Sequence, residues 1–109
     1  MTYAMNTMRT HIPLIQHAHG RLVGPRLSAA PVRDEIEIAL AHGTEVVLDF
    51  SGVGATQSFI DGLVGVLVLQ HGPGVLEHLV FKSCSDDVKA ILQFVAADRC
   101  DQYLKAHSH

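Results

Sequence analysis

The stretch Glu45-Val-Val-Leu-Asp-Phe-Ser-Gly-Val-Gly-Ala-Thr-Gln-Ser-Phe-Ile-Asp-Gly-Leu-Val-Gly-Val-Leu-Val-Leu-Gln-His71 decides the fold. Val46–Phe50 is a short apolar run, β-branched at its start and bounded by turn residues, and it reads as a buried strand. Gly52 and Gly54 free the backbone to leave the sheet. Ser58 is an accepted helix cap, and the residues after it are rich in Leu and Val without Pro. The order is therefore strand, loop, serine, buried helix. The helix is apolar nearly all round: Phe59, Leu63, Val66 and Leu67 form one stripe and Ile60, Val64 and Val68 another. Such a helix must be covered on more than one side, by its own neighbours, by a partner or by a second copy of the chain. Gly62 and Gly65, three apart, let a neighbouring backbone come close.

Outward from this run, His11–His17 alternates as a first strand, with Pro13 confining it to a sheet edge or a strand start. Arg21–Val23 adds a short second strand. A helix is expected from Ser28 or Ala30 to about His42, burying Ala29, Val32, Ile36, Ala39 and Leu40. Its Arg33, Asp34 and Glu37 are expected to face water, with Asp34 and Glu35 early enough to suit the dipole and Gly43 as its stop. Beyond Gly72-Pro-Gly74, Leu76–Lys82 reads as a further strand. Ser85 then caps a helix whose inward stripe is Val88, Ile91, Leu92 and Val95, and Asp98–Asp101 either continues or breaks it. Strands alternating with helices give a small α/β domain, with three to four mostly parallel strands and three to four helices. The domain is placed at 11–105, between a mobile segment at 1–10 and a frayed tail at 106–109.

Composition narrows the function. With 109 residues there is room for one core and not two. A net charge of −3, with Lys and Arg scattered along the chain, offers no basic field for nucleic acid or anionic lipid. The longest apolar stretch, Leu63–Leu69, is too short to span a bilayer, and Met1–Arg9 lacks the apolar region of a secretory signal. Cys84 and Cys100 cannot make a disulfide framework, so a cytoplasmic location is expected.

The residues Leu48-Asp-Phe-Ser-Gly-Val53 followed by Ser58-Phe-Ile-Asp61 resemble the signature of STAS-like domains, short bacterial relatives of anti-sigma-factor antagonists. The likeness runs through Phe81–Lys89 to Ala97-Asp-Arg99, and back to Gly24-Pro-Arg26. It implies a small STAS-like fold and a non-enzymatic regulatory role, docking on a histidine-kinase-like ATPase. It also implies that Ser58 is a phosphoacceptor, with Gln57 where antagonists carry Asp and Gly62 where many relatives carry Glu. The implied partner surface is Gln57, Ser58, Asp61, Gly62 and Gly65, and a homodimer is a further expectation.

Other chemistry is weaker in the residues. Asp49, Ser51, Gly52, Gly54 and Thr56 line the loop before the helix, where backbone N–H groups could gather an anion, so a small-ligand or nucleotide sensor is the alternative. Asp49 and Asp61 read as a loop anchor and a dipole partner before they read as an acid–base pair. Cys84 precedes a helix start, but Asp86 and Asp87 beside it favour a structural thiol. His17 with His19, and His107 with His109, are two weak pairs that do not make a zinc site. No metal, cofactor or catalytic group is expected.

Overall fold

The computed structural model describes residues 8–108. In chain order the elements are β1 (Arg9–Pro13), β2 (Leu22–Val23), α1 (Ala29–Ala41), β3 (Glu45–Asp49), β4 (Gly54–Ala55), α2 (Gln57–Ile60), α3 (Val66–His71), β5 (Leu79–Lys82) and α4 (Asp86–Ala106). α2 passes without a break through a π-helical turn, Asp61–Gly65, into α3, so Gln57–His71 is one continuous helix. β1, β3 and β5 form a parallel sheet with β3 in the centre. β2 and β4 pair separately, also in parallel. The architecture is the expected small α/β one.

Two-residue periodicity sorts the sheet. Ile12, Val46, Leu48 and Leu79 lie on one face and join the core with the helices. The other face carries Arg9, His11, Glu45, Asp49 and Lys82, with Arg9 paired to Glu45 and His11 to Asp49. The continuous helix crosses the core face, and Phe59, Ile60, Leu63, Val64, Leu67 and Val68 are all fully buried. Apart from Val66, which is half-buried, its two apolar stripes are covered from within the chain, because the turn Asp61–Gly65 packs against both α1 and α4. No second copy is needed to bury them. The π-helical turn re-aims the side chains after Asp61, which a uniform helical period does not anticipate.

Several boundaries differ from expectation. The first strand is Arg9–Pro13, not His11–His17, and Leu14–His17 forms a 3₁₀ turn instead. Pro13 has no N–H to extend a ladder, and β1 is an edge strand, as that proline requires. Arg9 and Thr10 pair with Glu45 and Val46, so the lead-in proposed at 1–10 is shortened from its C-terminal end; residues 1–7 lie outside the described residues. At the other terminus α4 runs unbroken to Ala106, and His107 stacks on Tyr103 with ring centroids 4.0 Å apart. Ala106 thus belongs to α4 and His107 packs back on it, while His109, with its proposed pairing to His107, lies outside the described residues. α1 begins at Ala29, so Asp34 and Glu35 fall past its first turn. Arg33 does not point to water: its guanidinium donates to the Gly62 carbonyl.

Candidate functional site

The carboxyl ends of β3 and β5 bring two loops to one sheet edge. A groove of about 540 Å³ there is lined by Arg21, Phe50, Gly52, Gly54, Ser83 and Ser85, among others. Gly52 has a φ of 71°, which a glycine adopts without strain; Ser83, at 59°, is a non-glycine residue in the same region. Asp49 does not point into this groove as a free carboxylate. Its Oδ1 accepts from the Ser51 backbone N–H at 2.9 Å and the Ser51 hydroxyl at 2.5 Å, and its Oδ2 lies 3.1 Å from His11 Nε2. It is the anchor of the turn, with the exposed Ser51 folded back onto it. The two Ser51 hydrogen bonds, the hydroxyl first, hold the Asp49 carboxyl below its ordinary value, with His11 and Lys82 adding to the effect.

A stability consequence follows. Asp49 titrates lower in the folded chain, so the unfolded chain binds the extra proton first as pH falls. Its contribution is therefore present above the unfolded carboxylate range, around pH 4, and is lost as pH drops through the folded value. Urea midpoints of the native chain should fall more steeply between about pH 5 and 3 than those of Asp49→Asn. Parallel curves would show that the Ser51 turn adds no pH-dependent stability.

Cys84 sits between β5 and α4, half-buried, and burial pushes its thiol up despite the attraction of Lys89. That environment favours the thiol over a reactive thiolate. Among the described residues no group of three or more His, Cys, Asp or Glu is placed to hold a metal ion. His17 approaches Glu35 at 3.7 Å.

The start of the continuous helix is built differently from the sequence expectation. Thr56 is the cap: its hydroxyl accepts from Phe59 N–H at 3.1 Å and donates to the Gly24 carbonyl at 2.6 Å. The cap thus also ties β2 to β4 across the small ribbon. Ser58 is consequently the second residue of the helix, exposed, and its hydroxyl has no hydrogen-bond partner among the described residues. Gln57 beside it is also exposed. The serine expected to cap does not do so.

One turn further on, Asp61 is clamped. Arg26 Nη1 meets its Oδ2 at 2.5 Å and Arg99 Nη2 meets its Oδ1 at 2.5 Å. Arg99 also binds Asp98. The Asp61 side chain is 16% exposed, so this junction joins the turn before α1, the helix start and α4. The two glycines serve the same junction. A Cβ on Gly62 would stand 3.0 Å from the Arg26 carbonyl oxygen, and one on Gly65 would stand 2.5 Å from Asp61 Oδ1 and 3.3 Å from Arg99 Cγ. The close approach expected of Gly62 and Gly65 is made by the chain itself, and both glycines are buried. Neither presents a free surface. The part of the expected contact set open to solvent is Gln57 and Ser58; the 26–28 turn, whose Leu27 is 86% exposed, packs against this helix start.

Arg26, Leu27, Thr56 as cap, and Arg99 were not legible as site residues. Thr56 and Ser58 are both acceptable caps, and nothing in their local spacing separates them. A model of the family described as "STAS-like domain of unknown function" matches residues 28–89. That span includes Asp49, Thr56, Ser58, Asp61, Gly62 and Gly65, while Arg26 and Arg99 fall outside it. No curated protein and no solved structure matches the chain.

Proposed function

We propose that this chain, which belongs to the STAS-like domain family, is a non-enzymatic regulatory module that docks on a protein partner through the start of its central helix. By the same resemblance the partner is a histidine-kinase-like ATPase, and Ser58 is the phosphoacceptor that switches the contact. The observation that carries this reading is the division of labour at the helix start. Thr56 makes the cap, so the exposed Ser58 hydroxyl is spared structural duty and is accessible to a kinase. A phosphoryl group there adds a charge of about −2 near the positive end of a helix, a position that tolerates it. Leu27, exposed on the turn that packs against this helix start, offers an apolar side chain to a partner. No helix among the described residues is long and apolar enough to cross a membrane, which leaves protein docking as the surface chemistry to test.

The chain is expected to retain an ATPase from the lysate of its own source, and to gain the mass of one phosphoryl group when incubated with that ATPase and ATP. Ser58→Ala should abolish the mass gain while its melting curve stays in place. A mass gain that survives Ser58→Ala would move the phosphoacceptor elsewhere, and no retained ATPase would remove the docking reading.

The nucleotide-sensor reading rests on the groove at the sheet edge, where Gly52, Gly54, Ser83 and Ser85 meet. Nucleotide bound there at a hundredfold excess over Kd should add about 2.7 kcal/mol of stability. Asp49 and Ser51 are already engaged with each other, which leaves that groove fewer free polar groups than the sequence suggests. An absence of any melting shift with ATP, ADP or GTP is the expected result.

A further inference from the structure

We infer, resting on the reading of Ser58 as phosphoacceptor, that Arg26 is the receiver of the phosphoryl group: its guanidinium leaves Asp61 for Ser58 while Arg99 keeps Asp61. The covalent step is ordinary phosphoryl transfer from ATP. The γ-phosphorus forms a bond to Ser58 Oγ, its bond to the β–γ bridging oxygen breaks, ADP leaves, and the serine proton passes to solvent.

The argument begins with charge at the junction. Unmodified, two arginines, Arg26 and Arg99, face two carboxylates, Asp61 and Asp98, and the group is balanced. A phosphoryl group brings about two more negative charges. Ser58 stands one turn before Asp61, and the Asp61 N–H reaches back to the Ser58 carbonyl, so the two side chains share a helix face. Side chains three apart on such a face have Cβ atoms roughly 5–6 Å apart. A phosphoserine at 58 would therefore compete with Asp61 for the same cations.

The two arginines are unequal competitors. Arg99 is 23% exposed, holds two carboxylates and runs alongside Gly65, where an added Cβ would meet its Cγ and Nε at 3.3 Å. Arg26 is 53% exposed and, among the described residues, pairs with Asp61 alone; its Cγ and carbonyl lie against Gly62, so the exchange swings the guanidinium about a fixed stem. It is also carried on a three-residue 3₁₀ turn, Arg26–Ser28, not on a long helix. A guanidinium binds phosphate through a two-pronged fork as readily as it binds carboxylate, and the doubly charged group is the stronger acceptor. Asp61 keeps one arginine after the exchange, so its carboxylate is not left unpaired.

The test needs neither kinase nor partner. Phosphoserine is installed at position 58 during synthesis, and the phosphate is titrated by phosphorus NMR in the otherwise native chain, in Arg26→Gln and in Arg99→Gln. The native chain should titrate about 0.5–1 pH unit below the Arg26→Gln protein, because a nearby guanidinium favours the dianion. Arg99→Gln should raise the phosphate value by less than Arg26→Gln, because Arg26 must then be shared with Asp61. The Arg26 side-chain Nε–H signal should shift on phosphorylation in the native chain, and that of Arg99 should shift less. Arg26→Lys, which keeps the charge but not the fork, should fall between, and it serves as the folded control should the glutamine variant melt early. Equal phosphate titration in the native and Arg26→Gln proteins, or an Arg26 Nε–H signal indifferent to phosphorylation, would overturn the exchange. Failure of the docking reading would show instead in the capture experiment, since the phosphate here is placed by synthesis.

Discussion

Val64→Glu is expected to unfold the chain near neutral pH. Val64 is fully buried in the π-helical turn, in the part of the helix covered by both α1 and α4. Leu76, Phe81 and Leu92 line a small apolar groove with it. A carboxylate forced into those surroundings loses its water with no cation built to receive it, a cost of several kcal/mol. Domains of this size are stable by only about 5–15 kcal/mol, so that one substitution removes much or all of the margin. Burial would also raise the carboxyl pKa of the new glutamate, which penalises the folded state increasingly as pH rises. The variant should therefore regain helicity as the solution is acidified from pH 7 towards about 5. Circular dichroism melts at the two pH values measure this directly. An unchanged melt at pH 7 would mean that the helix can present this face to solvent, and would restore the second copy as the element that covers it.

What the sequence disclosed and what it withheld divide along the range of the interactions. The strand at Val46–Leu48 and the helix after it follow from local runs, because apolar side chains at these spacings have few other ways to be buried. The inward stripe of α4 follows for the same reason, and Ser85 caps as its position before Asp86 and Asp87 suggests, accepting from Val88 N–H at 3.2 Å. Pro13 announced an edge strand, although not that the strand would stop there and turn. The Asp61 junction is another matter. Arg26 lies 35 residues before Asp61 in the chain, and no period or local motif links them. Gly62 and Gly65 signalled that something would come close, but a missing side chain does not name its neighbour. The approach proved to be the Arg26 carbonyl and the Asp61–Arg99 ion pair, so residues read as a partner surface are largely an internal joint. The short β4 strand was hidden because Gly54-Ala55 has no β propensity of its own and is held by pairing to β2.

Three neighbouring positions at the helix start should respond very differently to alanine, and Phe59→Ala should respond most. Phe59 is fully buried at the third helical position and belongs to the central core. Truncating a buried phenylalanine removes its transfer free energy and leaves a cavity, together about 3–5 kcal/mol. In a domain of roughly this length each kcal/mol moves the midpoint by about 4–8 °C, so the melt should fall by more than about 10 °C. Thr56→Ala should come next, at about 0.5–2 kcal/mol for the lost cap, and towards the upper end because the hydroxyl also serves the Gly24 carbonyl. Ser58→Ala should change stability by no more than about 0.5 kcal/mol, since an exposed side chain without a hydrogen-bond partner gives up nothing structural. Ser58→Asp is likewise expected to fold normally, because a carboxylate in the first turn suits the dipole, while at a docking surface it must shed water against the partner. Thermal melts of the four variants fix the order, and a binding titration against the captured ATPase separates the two at position 58. If Ser58→Ala melted as low as Thr56→Ala, the serine would be sharing the cap after all, and its freedom to act as a switch would disappear with that result.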